Sequence, residues 1–119
     1  MKEIEYKVHM SDYGFFAVSA KDQGLVVGRL LSRGSVDNVA SLRHFLVDPE
    51  YRQVYKIGTK LHSFMIAWAK ENNFSYVTTE VVPKDPKDYE VTVGVLEKLG
   101  YVCTVKTESG YKFGFTLVI

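Results

Sequence analysis

Apolar and polar positions alternate through the first part of the chain and then change period. Ile4 to Met10 alternates with period two and predicts a first strand, and Ser11-Asp-Tyr-Gly14 is turn chemistry. Two apolar runs, Phe15 to Ala20 and Leu25 to Leu31, surround the polar, glycine-ended loop Lys21-Asp-Gln-Gly24, which signals a hairpin. A loop over Arg33 to Asn38 leads to a fourth strand, Ala40 to Val47. Four strands in succession suggest an antiparallel meander.

The period then becomes helical. Ile57, Leu61, Phe64, Met65 and Trp68 fall at i, i+4, i+7, i+8 and i+11, one apolar stripe, with Lys56, Lys60, Ser63 and Lys70 on other faces. Asn72-Asn73 can end this helix in the left-handed region. Phe74 to Val82 is rich in β-branched residues and reads as a fifth strand. A helix joins it to the fourth strand, so the two should run parallel. After the loop Pro83 to Asp88, a second helix is expected over Tyr89 to Leu99. Val91, Val93, Gly94 and Val95 are weak helix formers, but Val95, Leu96 and Leu99 can share a buried side and Gly100 sits where a C-cap belongs. Tyr101 to Lys106 and Tyr111 to Val118, around Glu108-Ser-Gly110, predict a closing hairpin.

Composition narrows the class. At 119 residues the expectation is a single domain, 1–119, with a core of its own. Apolar residues at 46% and charged residues at 24% are those of a globular protein. No apolar run approaches the roughly 18 residues of a membrane span, and the opening Met-Lys-Glu-Ile-Glu lacks a signal-peptide core. A single cysteine, Cys103, leaves no internal disulfide and suits a reducing compartment, so a cytoplasmic location is expected. Net charge is +1 with both signs interspersed, which argues against general nucleic-acid binding. His9 and His62 lack partners at metal spacing, so no metal is expected, and His44 reads as structural.

The richest stretch runs from Phe45 to Leu61: an apolar strand, a short turn, and a helix whose first turn is crowded with small or donor-bearing groups. Unpaired amides and the dipole make such a helix start an anion site. Gly58-Thr-Lys60 is not a Walker A loop, because the Gly-Lys-Ser/Thr order and the upstream glycine are missing. The stretch resembles the acetyl-CoA-binding segment of the GNAT N-acetyltransferases, which runs Val-x-Pro-x-Tyr-Arg and then Gln/Arg-x-x-Gly-x-Gly/Ala. Val47, Pro49, Tyr51 and Arg52 match the first part, and Gln53, Ile57 and Gly58 the second. Lys56 stands where that family prefers glycine, and the turn is about one residue longer. Gly24 to Gly28 is similar to the family's second hairpin, and Leu96-Glu-Lys-Leu-Gly-Tyr101 to its helix end.

The resemblance implies an α/β (α+β) fold: a GNAT-like, mixed, mostly antiparallel sheet of about seven strands with two main helices, the family's first two helices being largely missing. It implies acetyl-CoA as cosubstrate, its pyrophosphate on the amides of Gln53, Val54, Tyr55, Lys56, Ile57, Gly58 and Thr59, with Arg52, Lys56 or Lys60 adding charge. It implies that Phe45, Leu46 and Val47 face the pantetheine across a gap between the fourth and fifth strands, the Leu46 or Val47 N–H serving as oxyanion donor.

For the acceptor side, Ser41 and Arg43 are expected to share a face with Phe45, the face turned to the acceptor, and His44 to point the other way. Glu80 occupies a position where some members carry a catalytic glutamate, and desolvation among β-branched neighbours would suit it as a base. The tyrosine that many members use as acid is replaced by Leu96; Tyr89 is the nearest candidate. The function so implied is acetyl transfer to a primary amine, and an open acceptor site favours a protein amine. The alternative is a catalytically inactive GNAT-fold module that binds acyl-CoA or a protein partner. A homodimer pairing through the apolar strand Phe113 to Ile119 is a further expectation.

Overall fold

The structure is a computed structural model and describes residues 3–11, 14–34, 38–51, 56–81, 93–106 and 113–119. Its elements are β1 (Ile4–Met10), β2 (Phe15–Asp22), β3 (Leu25–Gly34), β4 (Val39–Val47), α1 (Ile57–Glu71), β5 (Tyr76–Val81), a second helix α2 that includes residues 93–98, β6 (Val102–Lys106) and β7 (Phe113–Val118). One sheet has the order β1-β2-β3-β4-β5-β7-β6. The β4–β5 pair is parallel, and the other neighbours are antiparallel. The expected meander, the α1 crossover and the parallel pair are all present. Much of the second helix expected from Tyr89, and the turn at Glu108 to Gly110, lie outside the described residues.

The β2–β3 connection is tighter than the four polar residues suggested. Gln23 and Gly24 take positive φ of 49° and 85°, so a two-residue turn carries the strands on to Asp22 and from Leu25. Such a turn matches the natural twist of the paired strands.

Ile57, Leu61, Met65 and Trp68 are buried as their spacing predicts, over Phe16, Val18, Leu30 and Val47. Each large side chain so buried contributes about 1.5–3 kcal/mol. Phe16 and Trp68 stack at 5.2 Å between ring centres. Phe64, at the margin of the stripe, is half-buried and meets Tyr6 of β1 at 5.4 Å. Gly28 lets the helix sit this close: a Cβ there would lie 3.1 Å from both Ile57 Cγ2 and Leu61 Cδ1.

Both helices end by the same device. Asn73 (φ 62°) donates to Lys70 O and Phe74 to Ala69 O; Gly100 (φ 100°) donates to Glu97 O and Tyr101 to Leu96 O. These paired bonds satisfy carbonyls that a helix end otherwise leaves open.

Among the described residues, the interior lies on one side of the sheet. Leu96, Tyr101 and Phe115 join the cluster that α1 covers. The molecule measures 45 × 35 × 19 Å, the thickness of one sheet and one layer of helices. β7 lies between β5 and β6, so the last strand is not an edge and cannot pair with a second copy as expected; the edges are β1 and β6.

Candidate active site

Two features of β4 build the site. Leu31↔His44 and Ser32↔Leu42 are successive pairs, so Arg43 is the extra residue of a β-bulge. Ser32 is buried and its hydroxyl donates to Ser41 O at 3.0 Å, filling the ladder beside the bulge. The parallel ladder with β5 runs from Val39↔Tyr76 to Leu42↔Thr79 and stops there. Thr79 Oγ1 donates to Leu42 O at 3.2 Å and closes the last rung. Beyond it β4 continues to Val47 on β3 alone, and the two strands part.

The bulge also inverts the faces of β4. Ala40 and Leu42 face the helices before it, and Phe45 and Val47 do so after it. Ser41 therefore lies on the opposite face from Phe45, not on the same one, because one inserted residue shifts the two-residue alternation. His44 is exposed on the Ser41 face, again the reverse of expectation, and Arg43 is exposed at the bulge. The Asp48 N–H donates to Val27 O at 2.8 Å. By alternation Leu46, opposite Arg29, turns its amide to β3 as well, while Phe45 and Val47 turn theirs toward the side that β5 has left.

At the far end of β4 stands the start of α1. Its N-cap, Lys56, takes φ 52° and ψ 35°, no side chain among the described residues caps the helix, and the first turn holds no acidic residue. In a 15-residue helix this leaves the amides of Ile57, Gly58 and Thr59 directed outward with the positive dipole end. Lys56, Thr59 and Lys60 are exposed, whereas the Ile57 side chain is core. A Cβ on Gly58 would point into the seam with β4, 3.6 Å from Phe45 Cζ and 3.7 Å from Val47 Cγ2. Tyr51 Oη donates to Asp22 Oδ2 at 2.6 Å and ties the strand-to-helix turn to the β2–β3 hairpin.

The left-handed Lys56 gives the family's glycine preference at this position a backbone reason. Gln53, Val54, Tyr55 and the acid candidate Tyr89 lie outside the described residues, as does Arg52.

Glu80 follows the last rung on β5, on the same face as Ser41 and Thr78. It is exposed, so the desolvation expected among its β-branched neighbours is not what the strand provides. Leu96 is buried in the core and presents nothing to the gap.

One polar pair escaped the sequence reading. His62 and Tyr101, 5% and 3% exposed, share a 2.8 Å hydrogen bond between Nε2 and the hydroxyl. Burial lowers the His62 pKa to about 4 and raises that of Tyr101. The pair adjoins the site through Phe45, whose ring stacks on His62 at 6.2 Å. Helical spacing places residue 62 beside the core residue Leu61, which was the available signal; its partner is remote in sequence.

Residues 2–101 match the model of the acetyltransferase (GNAT) family. The chain belongs to that family. Solved structures with the same fold include three acetyltransferases. The chain is 18% identical to a putative streptothricin acetyltransferase from Bacillus anthracis in complex with acetyl coenzyme A, covering 93% of this chain and 70% of that one (TM-score 0.76). It is 19% identical to the PaiA N-acetyltransferase from Thermoplasma acidophilum in complex with coenzyme A, covering 89% and 62% (TM-score 0.74). It is 17% identical to a ribosomal-protein alanine N-acetyltransferase from Escherichia coli, covering 92% and 72% (TM-score 0.70). No curated protein matches the chain. Among the described residues, no helix is long and apolar enough to cross a membrane. In this GNAT member the parted strands and the uncapped α1 start belong to one continuous feature along β4.

Proposed function

We propose that this GNAT member transfers an acetyl group from acetyl-CoA to a primary amine, with a protein amine as the preferred acceptor. The observation that carries the reading is the parting of β4 from β5 after Leu42↔Thr79, with an uncapped helix start at the end of the gap. The α1 amides of Ile57, Gly58 and Thr59, beside Lys56 and Lys60, suit a pyrophosphate. Gln53, Val54 and Tyr55 precede them in the same segment. The gap-side amide of Phe45 suits an extended pantetheine, and an amide there would stabilise charge developing on a thioester carbonyl. Acetyl-CoA supplies the activated acyl group and a thiolate leaving group.

Glu80 is positioned to take a proton from the incoming ammonium, directly or through one water, since it is exposed where the strands part. Ser41 shares its face, and Arg43 protrudes at the bulge, so these two would meet the acceptor. A protein amine is favoured because this side of the site is open. Relatives with this fold include enzymes named for a small antibiotic and for a ribosomal protein. The family match lends nothing to the non-catalytic alternative.

The test is acetylation of a peptide panel, read by intact mass, for wild type and Glu80→Gln across a pH series. Wild type should transfer acetyl, and the variant should be slower by about 10²–10⁴-fold near neutral pH, with acetyl-CoA affinity unchanged. The deficit should shrink at high pH, where the amine is already deprotonated. A variant as fast as wild type removes Glu80 as base. No transfer by wild type to peptides or small amines, despite acetyl-CoA binding, removes the function.

A further inference from the structure

The sheet has a second face, and beyond Ser41, Arg43 and Glu80 it carries a pattern the transferase reading does not use. Register places three rows across β2, β3 and β4: Phe15, Arg33, Ser41; Ala17, Leu31, His44; and Ser19, Arg29, Leu46. All nine face away from the helices. Phe15, Leu31 and Leu46 are 48%, 43% and 45% exposed, too much apolar surface for ordinary solvent-facing strand positions. They form a diagonal, one on each strand. Adjacent strands lie about 4.8 Å apart and alternate residues about 6.8 Å along a strand, so the diagonal spans roughly 17 Å. That is about three turns of helix.

Across β2, β3 and β4 the charge on this face has one sign, with Glu5 of β1 and Glu80 of β5 at its flanks. Arg29 and Arg33 are exposed on either side of Leu31, and Arg43 is exposed at the bulge. The Arg33 guanidinium lies 5.2 Å from the centre of the Phe15 ring, covering it with its planar face. Neither the three rows nor the bulge contains a carboxylate.

We propose that this face docks an acidic amphipathic helix of a partner protein. Its apolar stripe would lie along Phe15, Leu31 and Leu46, and its carboxylates would meet Arg29 and Arg33. Charge complementarity selects this occupant. A second copy applied face to face would set arginines against arginines, a repulsive arrangement. A lipid surface asks for apolar groups that project beyond the charges; here the arginines are interleaved among half-exposed side chains, and net charge is only +1. The surface borders the acceptor side at Ser41 and Arg43, but its apolar diagonal and Arg29 and Arg33 take no part in acetyl transfer and would stand if that activity failed.

The test uses two labelled peptides of about fifteen residues, long enough for the diagonal. They carry the same leucine stripe, one with a glutamate polar face and one with a lysine face. Binding to the full chain is followed by fluorescence anisotropy at about 50 mM and 300 mM salt. The acidic peptide should bind at least about ten-fold tighter than the basic one at low salt, with the preference shrinking at high salt. Leu31→Asp should weaken it by about ten-fold or more. The double variant Arg29→Glu, Arg33→Glu should reverse the preference toward the basic peptide, a result that misfolding cannot produce. The proposal is overturned if the two peptides bind alike or neither binds. It is equally overturned if anionic vesicles bind where the acidic peptide does not, or if sedimentation shows a dimer that Leu31→Asp dissociates.

Discussion

Replacing Lys56 by glycine should make the protein more stable and acetyl-CoA binding weaker, two effects of opposite sign from one substitution. Lys56 caps α1 with φ 52° and ψ 35°. For a residue with a Cβ this conformation costs about 1–2 kcal/mol, which glycine avoids. The cation also stands at the positive end of the helix dipole, worth a further ~0.3–1 kcal/mol. Against these gains, glycine adds about 0.4–1 kcal/mol of unfolded-chain entropy. The net is a stabilisation of about 1 kcal/mol. For 119 residues that raises the melting temperature by about 4 °C. Affinity moves the other way, because an exposed cation beside a phosphate contributes about 0.2–1 kcal/mol. The loss is about 1.4- to five-fold at low salt and fades as salt is added. Lys56→Ala separates the causes: it keeps the Cβ, so it should match glycine in lost affinity but fall short of it in stability. The assays are thermal melting without ligand, and calorimetric titration with acetyl-CoA at two salt concentrations. A glycine variant that melts no higher than wild type refutes the strain argument. Unchanged affinity at low salt refutes the phosphate contact.

Other consequences are checked more briefly. Because His62 has a pKa of about 4 when folded against 6.5 when unfolded, the unfolded chain binds more protons between these values. Stability should be full above pH 6.5 and fall by an amount on the order of 3 kcal/mol as pH drops to 4, and chemical denaturation of the double variant His62→Leu, Tyr101→Phe should show that window flattened. His62→Leu alone leaves the buried Tyr101 hydroxyl without its histidine and should cost about 1–3 kcal/mol at pH 7, more than the double variant does. A Cβ on Gly34 would run into the Phe74 ring, so Gly34→Ala should destabilise by about 1–3 kcal/mol, and adding Phe74→Leu should restore part of that in urea titrations. Gly58→Ala meets only ordinary contacts with Phe45 and Val47 and gains helix propensity, so it should melt at or above wild type.

Local pattern was enough for most of the fold. A period-two run marked β1, apolar runs around turn residues marked β2 and β3, the Ile57-to-Trp68 stripe marked α1 and its buried face, and Asn73 and Gly100 were legible as helix stops because positive φ there has few tenants. The helix between β4 and β5 implied their parallel pairing, since the connection leaves no other geometry. The small and donor-bearing residues at the start of α1 were likewise visible in order. What the sequence could not reveal depended on partners far along the chain. The bulge at Arg43 is defined by β3, and nothing within Ser41 to Phe45 announces it; yet it reverses which side chains share a face with Phe45. The burial of His62 rests on Tyr101, and the interior place of β7 on its insertion between β5 and β6. The row of arginines around Leu31 appears only when three strands are laid side by side. Periodicity reports how a segment relates to its own axis, whereas register, bulges and strand order are set where segments meet, and the site and the open sheet face are made there.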